Sequence, residues 1–213
     1  MIQLKVLSDP ICPWCYIGKK ALDKAKHKFP LELLNIVWMP FQLNPKMPKK
    51  GMERKVYLVN KFGSSDNAIK AYAPILERFN SCKIDCDFTK IKITPNTLDA
   101  QRLIHWAGIE GCQTNMVENL FKGYFLNDAD IGNKETLISL GEMSGLSKKI
   151  TKKLLESEED KETILNIEKK YRQAGVSGVP TYLINDNFVI PGAQTKEFWI
   201  KVLSEISDRD KRR

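Results

Sequence analysis

The sequence predicts an α/β chain carrying a large α-helical insertion, and three observations predict it. The first 45 residues read strand–helix–strand. Residues 159–213 read helix, strand, hairpin partner and final helix. Between them, residues 46–158 carry helical patterns almost throughout, a stretch far too long for a plain crossover connection. The expected division is therefore residues 1–45 with 159–213 in one domain and residues 46–158 in an inserted helical subdomain.

Residues 2–8 predict a short buried strand, and Asp9-Pro10 breaks it. Cys12 falls at the N-cap of the next helix because Pro13 takes the first helical position, where its fixed φ is already helical and its missing N–H has no partner to lose. Ile17, Ala21, Ala25 and Phe29 recur every fourth residue, so this helix is expected to reach about Phe29, with Pro30 ending it. Leu31 to Leu43, with Ile36, Val37, Trp38 and Phe41, predicts a second strand closed by Asn44-Pro45. Helices follow at about 53–62, 67–79, 97–108, 114–126, 134–144 and 147–156. Asn96 or Thr97 caps the third and Asn133 the fifth, and residues 82–91 read as extended. Ile164, Ile167, Tyr171 and Ala174 mark one helical face that Gly175 closes. Thr181–Ile184 and Phe188–Ile190 then pair across the turn Asn185-Asp186-Asn187. The last helix turns Phe198, Trp199, Val202, Leu203 and Ile206 inward.

Composition excludes several classes. The formal net charge is +8 over 213 residues. The basic residues are mostly lysines interleaved with Glu and Asp along every helix, which reads as a solvated surface; a nucleic-acid footprint would cluster on one face. The basic cluster Arg209-Asp210-Lys211-Arg212-Arg213 reads as a frayed terminus. No apolar run approaches the roughly 18–20 residues of a membrane span. Neither nucleic acid nor membrane is expected as a partner. With Met1 as the start, Ile2–Leu7 is too short and alternating for a secretory leader, so a reducing, cytoplasmic setting is expected. There, and with five cysteines, paired thiols point to catalysis or metal binding rather than to a disulfide scaffold.

Cys12-Pro13-Trp14-Cys15 carries the chemistry. The thiolate is the nucleophile of disulfide exchange, and a helix N-terminus favours negative charge through its unpaired N–H groups and dipole. Two intervening residues set the second sulfur one turn away, within reach of a mixed disulfide. Cys12 is expected to be the exposed attacking thiol and Cys15 the more buried resolving one. Trp14 either packs or offers an apolar platform to a peptide substrate. The competing reading pairs this motif with Cys82 and Cys86 as a four-cysteine zinc site. A strand–CxxC–helix context with Pro13 does not require that, and His27 and His105 read as ordinary helix residues, so no metal is expected. Cys82 and Cys86 read as small core residues or, on their spacing, as an auxiliary redox pair. Cys112 is expected to be buried at a helix start.

Asp9-Pro10-Ile11-Cys12-Pro13-Trp14-Cys15-Tyr16-Ile17-Gly18-Lys19 resembles the active-site segment of the DsbA-like thioredoxin proteins, specifically their cytoplasmic FrnE-like branch, related to 2-hydroxychromene-2-carboxylate isomerases and kappa-class glutathione transferases. The resemblance continues at Phe41-Gln42-Leu43-Asn44-Pro45, Thr94-Pro95-Asn96-Thr97, Leu120-Phe121, Tyr124-Phe125, Asp130-Ile131, Gly178-Val179-Pro180-Thr181 and Gly192-Ala193-Gln194, in family order over nearly the whole chain. It implies a thioredoxin fold, a central mixed sheet flanked by helices, with the helical insertion. It also implies a cis Val179–Pro180 bond against the cysteines, with Val179 offering backbone groups to an extended substrate and Pro13, Trp14 and Pro180 supporting the site. Gln101 stands where relatives often carry histidine, and Pro191 where serine is common.

The implied function is a thiol–disulfide oxidoreductase (reductase, oxidase or isomerase) acting on disulfide- or thiol-containing proteins. Glutathione is a candidate co-substrate, no bound cofactor is expected, and a homodimer is a candidate assembly. The alternatives are a glutathione-dependent isomerase or transferase on the same fold, whose members typically carry serine in place of Cys12, and a zinc-stabilised interaction domain.

Overall fold

The structure is a computed structural model and describes residues 1–30 and 33–210. Leu31 and Glu32, at the expected start of the second strand, and residues 211–213 of the basic tail lie outside them. In chain order the elements are β1 (Ile2–Ser8), α1 (Pro13–Lys26), β2 (Leu34–Pro40), β3 (Met52–Glu53), α2 (Arg54–Phe62), α3 (Ser65–Cys82), β4 (Ile93–Thr94), α4 (Leu98–Ile109), α5 (Gln113–Leu126), α6 (Lys134–Ser144), α7 (Lys148–Glu156), α8 (Lys161–Gln173), β5 (Thr181–Ile184), β6 (Phe188–Pro191) and α9 (Lys196–Asp210).

The main sheet is mixed, in the order β2-β1-β5-β6. β1 lies inside it, parallel to β2 and antiparallel to β5, with Val6 opposite both Trp38 and Tyr182. Ile2, Leu4 and Val6 share one face of β1 and are buried; on the other face Leu7 is buried, while Gln3 is exposed and the half-buried Lys5 pairs with Asp186. Asn185 and Asp186 take positive φ at the β5–β6 turn, the backbone of a tight hairpin, which Asn and Asp tolerate.

Several boundaries differ from the sequence-based expectation. β2 stops at Pro40 rather than Leu43 because its ladder partner β1 stops at Ser8, which faces Pro40. α1 stops at Lys26 with His27 as C-cap, and Phe29 sits half-buried in a turn, its N–H donating to the Lys26 carbonyl. α3 starts earlier, capped by the Ser64 hydroxyl, and runs through Pro74 to Cys82. Cys82 thus closes a helix, and the segment expected as extended forms turns and coil. Asn133 caps α6 as expected, its side chain accepting from the Thr136 N–H. At α4 the Asn96 side chain accepts from the Leu98 N–H, while the Thr97 hydroxyl is drawn elsewhere.

α1 packs on α9 and α3, while α4, α5 and α8 pack along β2. One buried apolar cluster runs from β1 through Tyr16 to Phe79, Phe121 and Phe125 of the helical segment. Tyr16 stacks on Phe121 with ring centroids 4.9 Å apart. Arg102 is fully buried; its guanidinium donates to the carbonyls of Leu154, Ser157 and Glu159 at the end of α7 and pairs with Asp99. No described helix is long and apolar enough to cross a membrane.

Candidate active site

β1 delivers the chain to the sheet's end, and the Asp9 carbonyl accepts from the Cys12 N–H at 2.9 Å, turning it into α1. Cys12 occupies the N-cap with extended φ, and Pro13 follows at the first helical position. The Cys12 carbonyl accepts from Cys15 N–H (3.1 Å) and Tyr16 N–H (3.3 Å), so Cys15 sits one turn in. Both thiols are free in this structure. The Cys12 Sγ donates to the Val179 carbonyl at 3.6 Å, and the Val179–Pro180 bond is cis. The fold thus brings Cys12, Cys15, Val179 and Pro180 together from opposite ends of the chain.

Cys12 is not the exposed thiol expected from its position. It is only 3% exposed, against 1% for Cys15, because the Val179–Pro180 segment lies over it. The contrast between the two cysteines is instead one of environment. Burial pushes the Cys15 thiol well above its ordinary range, and the adjacent Cys12 adds to the rise; the Asp9 backbone offsets only part of it. Cys15 is therefore held as a neutral thiol.

Three residues before Cys12 lies a buried carboxyl, expected from the sequence as a strand breaker and as the first residue of the segment Asp9–Lys19, with no role of its own assigned to it. Asp9 is fully buried. Its Oδ1 accepts from Ile11 N–H at 3.1 Å, and its Oδ2 from Leu43 N–H at 2.6 Å and the Thr97 hydroxyl at 3.4 Å. Burial pushes its pKa up to about 7, against the pull of the Leu43 and Ile11 amides, with the buried Glu168 carboxylate adding to the rise. Gln101 donates from Nε2 to the Ser8 and Phe41 carbonyls and clamps the ends of β1 and β2. Arg172 pairs with Glu168, donates to the Gln42 carbonyl, and lays its guanidinium 4.0 Å over the Phe41 ring. A signal for Asp9 was available: an acidic residue sits between the strand expected over residues 2–8 and the apolar Ile11, three positions before Cys12.

Gly18 has a packing reason as well. It lies inside α1, where glycine weakens a helix by about 1 kcal/mol relative to alanine. A Cβ there would come 2.2 Å from the Tyr182 hydroxyl and 3.5 Å from Pro180. Pro13 and Pro180 are buried, and Trp14 and Val179 half-buried.

Cys82 and Cys86 are half-buried and free, packed against the core beside α3, where burial pushes Cys86 up to about 12. Cys112 is half-buried at the N-cap of α5 rather than buried, since it stands at an exposed turn after Gly111. His27 is exposed and His105 half-buried. Among the described residues, no group of three or more His, Cys, Asp or Glu side chains is arranged to hold a metal ion.

Comparison with known proteins adds three findings. Residues 3–203 match the DSBA-like thioredoxin domain. The chain is 28% identical over 209 residues to the uncharacterized protein YwbO of Bacillus subtilis (strain 168), covering 96% of each. Its fold is similar to the probable DsbA oxidoreductase SCO1869 from Streptomyces coelicolor (TM-score 0.86, 23% identity, 96% of this chain and 89% of that one) and to the cytosolic disulfide reductase DsbM from Pseudomonas aeruginosa with GSH (TM-score 0.66, 13% identity, 99% and 100%).

Proposed function

Since the chain belongs to the DSBA-like thioredoxin domain family, we propose that it is a thiol–disulfide oxidoreductase in which Cys12 attacks and Cys15 resolves. The observation that carries this reading is the placement of two free thiols one turn apart at the N-terminus of α1, with Cys12 Sγ against the Val179 carbonyl.

In the reducing direction, the Cys12 thiolate attacks one sulfur of a substrate disulfide. The substrate S–S bond breaks, a mixed disulfide forms, and the departing sulfur takes up a proton. Cys12 has then lost its own S–H, so the Val179 carbonyl is free to accept from a backbone N–H of an extended substrate. Cys15 gives up its proton and attacks Cys12 Sγ. The second substrate thiol leaves protonated, and a Cys12–Cys15 disulfide remains. The substrate gains two electrons and two protons; the reverse sequence oxidises it. The raised Cys15 thiol keeps the resolving sulfur unreactive until the mixed disulfide exists. Trp14, half-buried between the cysteines, supplies apolar surface to the bound peptide. Glutathione is the small thiol we propose as co-substrate.

The test is the thiol state of Cys12 and Cys15 across a glutathione titration, read by alkylation and mass spectrometry. A reversible Cys12–Cys15 disulfide is expected, together with a trapped mixed disulfide on Cys12 in Cys15→Ser and loss of insulin reduction in Cys12→Ser. Cysteines that never pair would overturn the reading. Glutathione-dependent chromene isomerisation that survives Cys15→Ser would replace it with the isomerase alternative.

A further inference from the structure

A cavity of about 810 Å³ opens between α2, α3 and the segment around residues 88–93. None of its lining residues belongs to the cysteine site. Its volume lies in the range of small-molecule pockets. Its walls are apolar: Leu58 and Val59 from α2, Ile69, Tyr72 and Leu76 from α3, and Phe88 from the following segment. Ile69 is 69% exposed and Leu76 44%. Single exposed apolar residues need no explanation, but several around one cavity do.

Arg54, at the start of α2, lines the same cavity and is only 6% exposed. Its Nη1 donates to the Tyr124 hydroxyl at 3.1 Å and its Nη2 to the Tyr72 hydroxyl at 2.9 Å. The guanidinium stands 5.3 Å from the Tyr72 ring and 5.7 Å from the Phe88 ring. These partners are neutral. Among the described residues no carboxylate lies within 4.0 Å of it: Glu53 also lines the cavity but makes no ion pair with it. A buried cation facing only neutral groups carries a desolvation cost that an anion would offset. Lys55 and Lys92 at the cavity add positive charge, against the single carboxylate of Glu53, the N-cap of α2.

We propose that this cavity binds a small amphipathic anion, an apolar or aromatic body ending in a carboxylate or similar oxyanion, with Arg54 as its charge partner. The apolar walls take the body and the planar fork of Arg54 takes the head group. The site is separate from disulfide exchange and does not depend on it.

The test uses the full chain and 8-anilinonaphthalene-1-sulfonate as fluorescent probe, displaced by decanoate, decanol or decyltrimethylammonium. Saturable probe binding is expected, with decanoate displacing it well below the concentrations the other two require. Arg54→Met should weaken decanoate roughly tenfold or more, the loss of a hydrogen-bonded charge. Because that variant also breaks the tyrosine contacts, the exposed Ile69 gives a second pair. Ile69→Glu should weaken decanoate and Ile69→Lys should not, with unchanged thermal unfolding in both. Equal displacement by all three compounds, or indifference to Ile69→Glu, would overturn the proposal. So would probe binding that appears only as a dimer dissociates on dilution, which would assign the groove to a second copy of the chain.

Discussion

Gly18 and Asp9 are the two residues whose identity the active-site geometry explains most directly. Alanine at position 18 would gain helix propensity but meet the Tyr182 hydroxyl, which sits on a stiff ring between α1 and β5. Gly18→Ala is expected to lose about 1–3 kcal/mol, the usual cost of overpacking, and Tyr182→Phe should restore part of it by removing the clashing oxygen. Urea denaturation of the single and double variants checks this; additive losses would refute the contact. For Asp9 the sign follows from its raised pKa. The folded state holds the proton up to about pH 7, whereas the unfolded chain releases it near 3.8. Between those values folding takes up a proton, so the Asp9 contribution to stability falls as pH rises from about 4 to 7 and is level above. In Asp9→Asn that component of the slope should vanish. A pH series of urea midpoints for both proteins measures it, and identical slopes would be the contrary result.

At the scale of elements, α1 is tied to α5 by charge as well as by aromatic stacking. Glu118 on α5 lies 2.7 Å from both Lys19 and Lys20 of α1, and Lys19 is nearly buried. Burial alone would raise Glu118, but the Lys19 ammonium, with Lys20, outweighs it and brings the carboxyl down to about 2. Its stabilisation is therefore complete above the ordinary value near 4.5 and is lost as pH falls toward 2. Glu118→Gln should cost about 2–3 kcal/mol at neutral pH, because it leaves the buried Lys19 with Asp23 alone. The deficit should narrow below about pH 4.5 and close only near pH 2. Thermal or chemical unfolding at pH 7, pH 3 and pH 2 reads both. Since α1 carries the cysteines, this cluster also fixes the helix whose N-terminus forms the site.

Over the whole molecule, the apolar cluster is continuous from β1 through Tyr16 into α3, α4 and α5. The helical segment and the sheet share side chains rather than meeting across a polar seam. We expect one cooperative unfolding transition, with Trp199 beside Tyr182 near the sheet and Trp106 in α4 reporting the same midpoint. Single-tryptophan variants followed by fluorescence test this, and midpoints that separate would argue for two folding units. The α/β class, the order of the helices and of the four main-sheet strands, and the helix over residues 134–144 with its Asn133 cap were legible in the sequence because each rests on neighbours a few residues apart; the two-residue strands β3 and β4 were not, since they exist only by pairing with each other. The ends of β2 and α3 were not. β2 stops because its partner β1 stops, and α3 runs through Pro74 to pack Ile75 and Phe79 into the core.

The sequence by itself determined the helix start at Pro13, the one-turn spacing of Cys12 and Cys15, and the hairpin turn at Asn185 and Asp186, all consequences of local backbone sterics and hydrogen bonding. Only the tertiary structure decided that Cys12 is covered, that Cys15 is held protonated and that Asp9 titrates near neutrality. Those properties come from desolvation and from partners distant in sequence: Val179 is 167 residues from Cys12, and Thr97 and Leu43 are 88 and 34 residues from Asp9. Burial and electrostatics sum over everything packed around a group, whichever part of the chain supplies it, and no local pattern encodes that sum.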